Sequence, residues 1–453
     1  MRLPVLDRRR AGVLLHLGSL EAPLGRGGRA FIDWLADGGF SVWQILPAGP
    51  TGPDGSPYWV RSDYAGNPAF LDPTELPGEH AKEYAKEYAA FVDEAGRWLD
   101  DYALFEVLSA THAGEAWWTW PADVRDRKPA ALERATRDLA APLQRVKRDQ
   151  FAFFVQWRRL REHARSRGVR ILGDLPFYVA PHSAETWSHP GQFQLQADGR
   201  PAAVAGVPPD YFSQTGQLWG NPLYDWQAMR CDQFAYWRAR VLEQLDRVDL
   251  LRIDHFRALA AHWAVPAGAA DARGGAWHLT PGEDFLRLLL DDLGDLPILA
   301  EDLGVITDDV VALRKGFGLP GMRVLQFAFS GEGDNPHLPH MHEHDSVVYT
   351  GTHDNDTTLG WYRSLDEQTR RAVDSMLRAA PGSMPDALIR EALGSVGQLA
   401  VIPAQDLLAL GSSARLNTPG TVQGNWCWRL PAGALTAQLA RDYAQLNRMY
   451  GRA

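Results

Sequence analysis

Residues 248–257 (VDLLRIDHFR) contain a short, mostly apolar run that is followed by a carboxylate, Asp254. The same pattern recurs at residues 296–301 (LPILAE) and 346–354 (SVVYTGTHD), which end in Glu301 and Asp354. The three carboxylates are 47 and 53 residues apart in the chain. Such intervals match one or two strand–helix repeats of a parallel α/β fold, so each carboxylate is expected at the carboxyl end of a strand.

Eight segments are short apolar runs without polar alternation, which is typical of strands buried on both faces of a parallel sheet. The predicted strands are residues 12–17, 41–46, 169–174, 250–254, 298–301, 322–327, 346–350 and 400–405. Helical patterns lie between many of them, and eight such repeats predict an α/β fold of the (β/α)8 TIM-barrel type. The carboxyl ends of barrel strands meet at one mouth, so the three carboxylates are expected together. Converging carboxylates are what glycosidic bond chemistry requires.

The predicted strands are unevenly spaced, which indicates insertions after strands 2 and 3. Residues 48–168 contain long helical patterns, at 81–111 and 129–167, and are expected to form a mostly helical insertion. Residues 180–249 are expected to form a second insertion, with an active-site loop at 209–219 that is rich in Pro, Gly and aromatic residues. We expect residues 1–453 to form a single catalytic barrel that carries both insertions.

The composition limits the possible partners. A formal net charge of −10 argues against nucleic acid and against an anionic membrane surface, because both require clustered Lys and Arg. No run of 18 or more apolar residues is present, so no transmembrane helix is expected. The 17 Trp residues are numerous; most are expected in the core, but indole rings also stack on the apolar faces of sugars.

The cysteines and the N-terminal residues bear on localisation. Cys231 and Cys427 are far apart and form no C-x-x-C motif, which fits a reducing compartment. Three arginines at 8–10 followed by an apolar run resemble an export signal, but the run is short and is interrupted by His16. We therefore interpret it as the first barrel strand and expect a cytoplasmic protein.

Neither a metal nor a cofactor is predicted. One histidine cluster has several members close in sequence but lacks the H-E-x-x-H spacing of a zinc site; it consists of His337, His340, His342 and His344. The chain also has no phosphate-binding G-K-[ST] loop and no strand-linked G-x-G-x-x-G motif, so no nucleotide is implied.

An ordered set of motifs extends over nearly the whole chain. The motifs are SPY (56–58), AGNP (65–68), GDLP (173–176), VAGVPPDYFSQTGQLWGNPLYDW (204–226), RIDHFR (252–257), AEDLG (300–304), THDND (352–356), NTPGT (417–421) and GNW (424–426). The set resembles glycoside hydrolase family 77, the 4-α-glucanotransferases of the amylomaltase or disproportionating type. Departures are local: Trp59 stands where the family often has Gln, and Leu17-Gly18 stands where it tends to have Pro-Thr.

The resemblance implies a retaining transferase that moves a segment of an α-1,4-glucan to the 4-OH of another glucan or of glucose. It implies Asp254 as the nucleophile, Glu301 as the general acid/base and Asp354 as a stabiliser of the distorted sugar ring. Retention through a covalent glycosyl-enzyme intermediate requires the nucleophile and the acid/base about 5–5.5 Å apart. The expected partners are maltooligosaccharides or other α-1,4-glucans.

Further residues are predicted to serve the substrate or the carboxylates. Arg252 lies two positions before Asp254 on the same side of the strand, and its charge favours the ionised carboxylate. Glu301 must carry a proton in the resting enzyme, so its pKa is expected to be raised. The predicted substrate-binding residues are Arg252, His353, Asp174, Tyr58, Phe212, Gln217, Trp219 and Asn417.

Two alternatives to the transferase remain open at this stage. An α-1,4-glucan hydrolase would use the same three carboxylates and differ only in letting water reach the intermediate. A glucan-binding scaffold without activity would not need them, so their presence argues against it.

Overall fold

The computed structural model describes residues 6–76, 82–209, 213–380, 382–421 and 423–453. Phe212, predicted to bind substrate, and residues 210–212 of the predicted active-site loop lie outside the described residues.

Within the described residues, the strands alternate with helices along most of the chain. The strands are β1 (Arg10–Leu14), β2 (Val42–Gln44), β3 (Arg170–Leu175), β4 (Ala203–Val207), β5 (Gln217–Pro222), β6 (Leu250–Ile253), β7 (Ala261–Pro266), β8 (Ala276–Leu279), β9 (Ile298–Ala300), β10 (Gly321–Val324), β11 (Ser346–Tyr349) and β12 (Leu399–Pro403).

A parallel sheet of eight strands forms the barrel, in the order β10-β11-β12-β1-β2-β3-β6-β9. The N–H of Ala300 on β9 donates to the carbonyl of Pro320, just before β10, at 3.0 Å, so the two end strands approach each other. These eight strands correspond to the eight predicted segments, which confirms the barrel. Their side chains are buried on both faces, as the absence of polar alternation predicts.

The helices cover the barrel and build the first insertion. They are α1 (Arg26–Asp37), α2 (Lys82–Thr111), α3 (Ala122–Arg125), α4 (Pro129–Asp138), α5 (Ala140–Ser166), α6 (Ala184–Ser188), α7 (Trp226–Cys231), α8 (Ala235–Arg247), α9 (Gly282–Leu293), α10 (Asp308–Gly316), α11 (Thr358–Ser364), α12 (Glu367–Leu377), α13 (Asp386–Gly394), α14 (Ala404–Leu407) and α15 (Ala437–Met449). In the described ranges, none of these helices has the length and apolar character needed to cross a bilayer.

One long helical pattern proves to be a helix pair. The pattern at 129–167 is interrupted at Leu139, which ends α4 and precedes α5. Later in the chain, Arg378 follows α12 and adopts a left-handed backbone with φ +50°, which ends that helix. Helix α5 ends where predicted, since Gly168 turns the chain with φ +73° immediately before β3.

The connections after β3 and β6 build a second sheet of four antiparallel strands, in the order β5-β4-β7-β8. The prediction of a loop over residues 209–219 is therefore wrong at the end of that range, because Gln217 and Trp219 belong to the strand β5.

The helical insertion between β2 and β3 has an apolar cluster of its own, built around Trp98, Phe105 and Trp120. A separate cluster fills the barrel interior, with Leu172 and Leu250 among its residues.

Candidate active site

Two of the three predicted carboxylates follow adjacent barrel strands. In the ladder between β6 and β9, Ile253 pairs with Ala300, so Asp254 and Glu301 come directly after paired residues. The N–H of Glu301 donates to the carbonyl of Ile253 at 3.1 Å. Asp354 lies beyond the end of β11. The parallel register thus brings all three to the carboxyl ends of the strands, where the barrel mouth lies.

Arg252 anchors the base of the site. Its Nη1 donates to both oxygens of Asp174, at 2.7 and 2.8 Å, and its Nη2 lies 2.8 Å from Oδ1 of Asp254. The hydroxyl of Tyr58 donates to Oδ2 of Asp174 at 2.6 Å. The side chain of Asp174 is 0% exposed and that of Arg252 5% exposed, whereas that of Asp254 is 31% exposed. This burial favours an orienting role for Arg252 and Asp174 and leaves Asp254 reachable from the mouth.

Glu301 is held by main-chain donors on two sides. Its Oε2 accepts from the N–H of His255 at 2.7 Å, and its Oε1 accepts from the N–H of Leu303 at 2.8 Å. Burial and the charge of Asp254 raise the pKa of Glu301 to about 8, although both N–H groups and Arg252 oppose the rise.

Burial also raises the pKa of Asp254, and the neighbouring Arg252 is the largest influence that lowers it. Among the described residues Glu301 makes no ion pair of the kind that Arg252 makes with Asp254, and its raised pKa leaves Glu301 as the carboxyl group that holds a proton near neutral pH. One protonated and one ionised carboxyl group is the division that acid and nucleophile chemistry requires.

Asp354 is held by residues from the segment after β12. Nδ2 of Asn417 donates to Oδ1 of Asp354 at 2.6 Å, and Nη2 of Arg415 donates to its main-chain carbonyl at 2.6 Å. Nε2 of His353 lies 3.4 Å from the same Oδ1. The side chain of Asp354 remains 47% exposed, so its second oxygen is open to a ligand. Arg415 was not predicted, because it lies two residues before the NTPGT motif in a stretch without periodicity.

Aromatic rings line one side of the site. Tyr58 and His353 stack with ring centroids 5.0 Å apart and an interplanar angle of 17°. Trp426 completes the group, at 5.9 Å from His353 and 6.0 Å from Tyr58. Trp426 was not predicted as a site residue, although it belongs to the GNW motif that carries the resemblance. Rings in this arrangement offer apolar faces on which a sugar can stack.

A second aromatic group comes from β5 and the turn after β6. Trp219 meets His255 edge to face at 4.7 Å and lies 6.2 Å from Tyr178. Its indole N–H donates to Oε1 of Gln217 at 3.1 Å, while Gln217 itself is exposed. His255 adopts a left-handed backbone with φ +50°, which turns the chain sharply after Asp254. Of the two predicted residues on β5, Trp219 therefore lies beside the residue that follows Asp254, and Gln217 bonds to Trp219.

The histidine cluster is engaged within the protein. Both ring nitrogens of His342 have protein partners, Oγ of Ser395 at 2.8 Å and the carbonyl of His337 at 3.0 Å. Nδ1 of His337 accepts from the N–H of Val324 at 3.2 Å. Across the part of the chain that the structure describes, no three His, Cys, Asp or Glu residues group in a way that would hold a metal ion.

A (β/α)8 barrel with two carboxyl groups side by side at adjacent strand ends is an arrangement of enzymes that act on glycosidic bonds. The 4-alpha-glucanotransferase family matches residues 15–85 and 77–436 of this chain. The chain therefore belongs to the 4-alpha-glucanotransferase family and is an enzyme of that family.

Individual relatives agree with the family match. The 4-alpha-glucanotransferase of Thermus thermophilus is 42% identical, over 97% of each chain. That of Synechocystis is 41% identical, over 99% of each chain. Among solved structures, an amylomaltase from Streptococcus agalactiae in complex with acarbose superposes with a TM-score of 0.93 at 30% identity, covering 98% of this chain and 100% of the other.

Proposed function

We propose that this enzyme breaks an α-1,4 bond in one glucan and transfers the released segment to the 4-OH of another glucan or of glucose, with retention of configuration. The observation that carries the proposal is the pairing of Glu301 with the strand end that bears Asp254, through the 2.7 Å hydrogen bond from the N–H of His255. That pairing, together with the raised pKa of Glu301, supplies a proton donor beside an ionised nucleophile.

The reaction proceeds in two displacements. A carboxylate oxygen of Asp254 attacks the anomeric carbon, the bond from that carbon to the leaving O4 breaks, and Glu301 delivers its proton to the leaving oxygen. Glu301, now ionised, then takes the proton from the 4-OH of the acceptor as that oxygen attacks the same carbon. The bond to Asp254 breaks, and both carboxyl groups return to their starting states.

The remaining residues act on the sugar or on the carboxylates. Asp354, with one oxygen held by Asn417, offers its exposed oxygen to the hydroxyls of the distorted ring. His353 and Tyr58 form a stacked pair beside it. Arg252 and Asp174 are positioning residues, because both side chains are buried beneath Asp254 and bond to each other. Trp219 shields the side near His255, where water competes with the acceptor.

Several properties support a neutral carbohydrate as the ligand. The net charge of −10 disfavours anionic polymers, and the site is lined by aromatic rings and hydroxyl-binding carboxylates. The complex of the Streptococcus agalactiae amylomaltase with acarbose supports a carbohydrate ligand here as well. We also propose a cytoplasmic location, which the two exposed, unpaired cysteines favour.

Incubation with maltotriose tests the proposal. Transfer yields glucose together with a series of maltodextrins longer than maltotriose, because the maltosyl-enzyme intermediate that remains when glucose leaves is captured by another sugar. Hydrolysis yields only maltose and glucose, and would identify the enzyme as a hydrolase that uses the same carboxylates. Unchanged maltotriose, with the sugar nevertheless bound, would contradict both reactions.

A further inference from the structure

A group of exposed apolar side chains lies outside the site described above. We call it the outer patch and define it by Trp277, Leu279, Val305 and Arg257. Trp277 is 40% exposed, Leu279 85% and Val305 49%. The guanidinium carbon of Arg257 lies 3.8 Å from the centroid of the Trp277 ring, and its Nη1 donates to the carbonyl of Val305 at 2.9 Å. Arg257 therefore ties the tryptophan to the loop after β9.

The second sheet fixes the orientation of Trp277. In the ladder between β7 and β8, Trp277 pairs directly with Trp263, and the two rings meet edge to face at 5.2 Å. The indole N–H of Trp263 donates to the carbonyl of Ala272 at 2.9 Å, which holds that ring in place. Directly paired residues of an antiparallel ladder share one face of the sheet. The exposed ring thus rests on a second, immobilised ring.

The outer patch is continuous with the candidate active site through the chain itself. Arg257 comes three residues after Asp254, and Val305 comes four residues after Glu301. The sheet that carries Trp277 also carries Trp219, which lies against His255 at the mouth. The outer patch therefore lies on segments that follow the same two strand ends as Asp254 and Glu301, on the same side of the barrel.

We propose that the outer patch is an additional binding site for a long α-glucan chain, in which a glucosyl ring stacks on the exposed face of Trp277. The inference rests on the proposed function, since it assumes an α-glucan at the carboxylates. The part of the Trp277 surface that Arg257 and Trp263 leave exposed, 40% of the residue, suits a sugar, because sugars present apolar C–H faces to aromatic rings. Leu279, two residues along β8, extends the apolar surface on the same side.

A second copy of the chain is the main competing occupant of this surface. A stable protein interface uses about 20–30 residues on each side. The outer patch offers three apolar side chains and one arginine that is already engaged with Trp277 and Val305. The patch therefore fits one or two sugar rings better than it fits a folded partner.

The test compares long and short glucans in the Trp277→Ala variant of the full chain. With amylose as donor and glucose as acceptor, KM is expected to rise roughly two- to tenfold, the range for the loss of one stacking contact. With maltotriose, which is expected to occupy only the positions beside the carboxylates, kcat/KM is expected to stay unchanged. In native gels that contain amylose, the variant is expected to migrate faster than the wild type.

Two further variants keep the test interpretable. Trp277→Phe retains a stacking face and should recover most of the amylose affinity. Met449→Ala removes another apolar side chain, which is 71% exposed at the end of α15. This variant should keep the wild-type kinetics with both amylose and maltotriose. Melting curves of all variants establish that each is folded.

The remaining outcomes overturn the inference. If the Trp277→Ala variant kept the wild-type KM for amylose and the wild-type mobility in amylose gels, Trp277 would not bind glucan. If the Trp277→Ala variant lost as much kcat/KM with maltotriose as with amylose, Trp277 would act through Arg257 on the carboxylates. Loss of a dimer in sedimentation, with amylose KM unchanged, would identify a second copy as the occupant. If the wild type produces no maltodextrins that are longer than maltotriose, the proposed function fails. Retardation of the protein by amylose in native gels would still test whether the outer patch binds glucan.

Discussion

The carboxylate of Glu301 accepts a 2.7 Å hydrogen bond from the main-chain N–H of His255, the residue that follows Asp254. The acid/base candidate is therefore bound to the backbone that carries the nucleophile candidate. Any shift of the turn after β6 would move both groups together, so their relative position is set by the backbone and not by two independent side chains. The same proximity lets the charge of Asp254 raise the pKa of Glu301.

The pH dependence of transfer should follow from this coupling. The first displacement needs Glu301 protonated, and its pKa is raised to about 8 by burial and by Asp254. Activity is therefore expected to fall as the pH rises through about 8, when Glu301 loses its proton. The acidic limb reflects protonation of Asp254, whose pKa is also raised by burial. The measurement is kcat/KM with maltotriose between about pH 5 and 10.

Removal of Arg252 should move both limbs of that profile to higher pH, because its charge lowers the pKa of Asp254 and also that of Glu301. The guanidinium of Arg252 lowers the pKa of Asp254 directly, so Arg252→Met is expected to shift the acidic limb to higher pH. If wild-type activity already fell as the pH rose through about 4–5, the usual pKa range of a carboxyl group, Glu301 would not hold its proton at neutral pH. That result would contradict the assignment of the proton to Glu301.

The raised pKa of Glu301 also predicts a pH-dependent effect on stability. A carboxyl whose pKa rises from 4.5 unfolded to about 8 folded binds its proton more tightly in the folded state. Stability is therefore lost as the pH rises from 4.5 toward about 8. Glu301→Gln removes this cost, so its Tm should exceed that of the wild type by on the order of 1–3 °C at about pH 9. At about pH 4 the two should melt together.

A matched substitution separates this effect from a general loss of negative charge. Glu332 is exposed, so Glu332→Gln should leave Tm unchanged at both pH values. A Glu301→Gln variant that is less stable than the wild type at high pH would show that the ionised carboxylate is favoured by its two N–H donors more than burial disfavours it.

Replacement of the nucleophile tests the covalent step. Asp254→Asn preserves size but supplies no attacking oxygen, so kcat with maltotriose should fall on the order of 10³-fold or more. Binding of maltoheptaose, measured by calorimetry, should persist because the surrounding rings and Asp354 are unchanged. The control is Asp138→Asn, in which an aspartate 60% exposed on α4 is altered. Turnover by Asp254→Asn at the wild-type rate would refute the assignment.

The sequence predicts the barrel well because its strands are buried on both faces. Continuous apolar runs such as Leu250–Ile253 and Ser346–Tyr349 carry no polar alternation, and each stands where the pattern indicates. Asp254 and Glu301 are found for the same reason, since each follows a strand directly. In the second sheet the pattern is weaker. Gln217–Pro222 contains a glycine and ends in proline, so its strand character comes from pairing with β4 and not from local propensity.

Contacts between distant segments account for most of what the sequence does not reveal. Asn417 lies 63 residues from Asp354 and Arg415 lies 61, yet both bond to it. Their segment is neither strand nor long helix, so no periodicity indicates which way the side chains point. Asn417, predicted to bind the sugar, instead donates to a carboxylate oxygen, which suggests that it orients Asp354.

That orienting role predicts a specific kinetic result. Asn417→Ala removes the 2.6 Å hydrogen bond and frees the Asp354 carboxylate to rotate. Because Asp354 is proposed to act on the distorted ring, kcat should fall by roughly 10- to 100-fold while KM changes little. A direct sugar contact by Asn417 would produce the opposite division, a raised KM with kcat preserved. Maltotriose kinetics distinguish the two.

The far end of the barrel contains a buried arginine whose removal should destabilise the whole fold. Arg452 is 0% exposed, and burial lowers its pKa to about 9. It donates to main-chain carbonyls on β1, in the last turn of α13 and on the segment between α13 and β12, namely those of Arg10, Ala392, Leu393, Ser395, Gly397 and Gln398. Arg452→Ala removes these hydrogen bonds from a buried site and leaves a cavity lined by carbonyl oxygens, so the free energy of unfolding should fall by about 3 kcal/mol or more. Urea unfolding measures the loss, with Arg448→Ala, an exposed arginine on α15, as the control. A change no greater than in that control would mean that water replaces the guanidinium among the carbonyls.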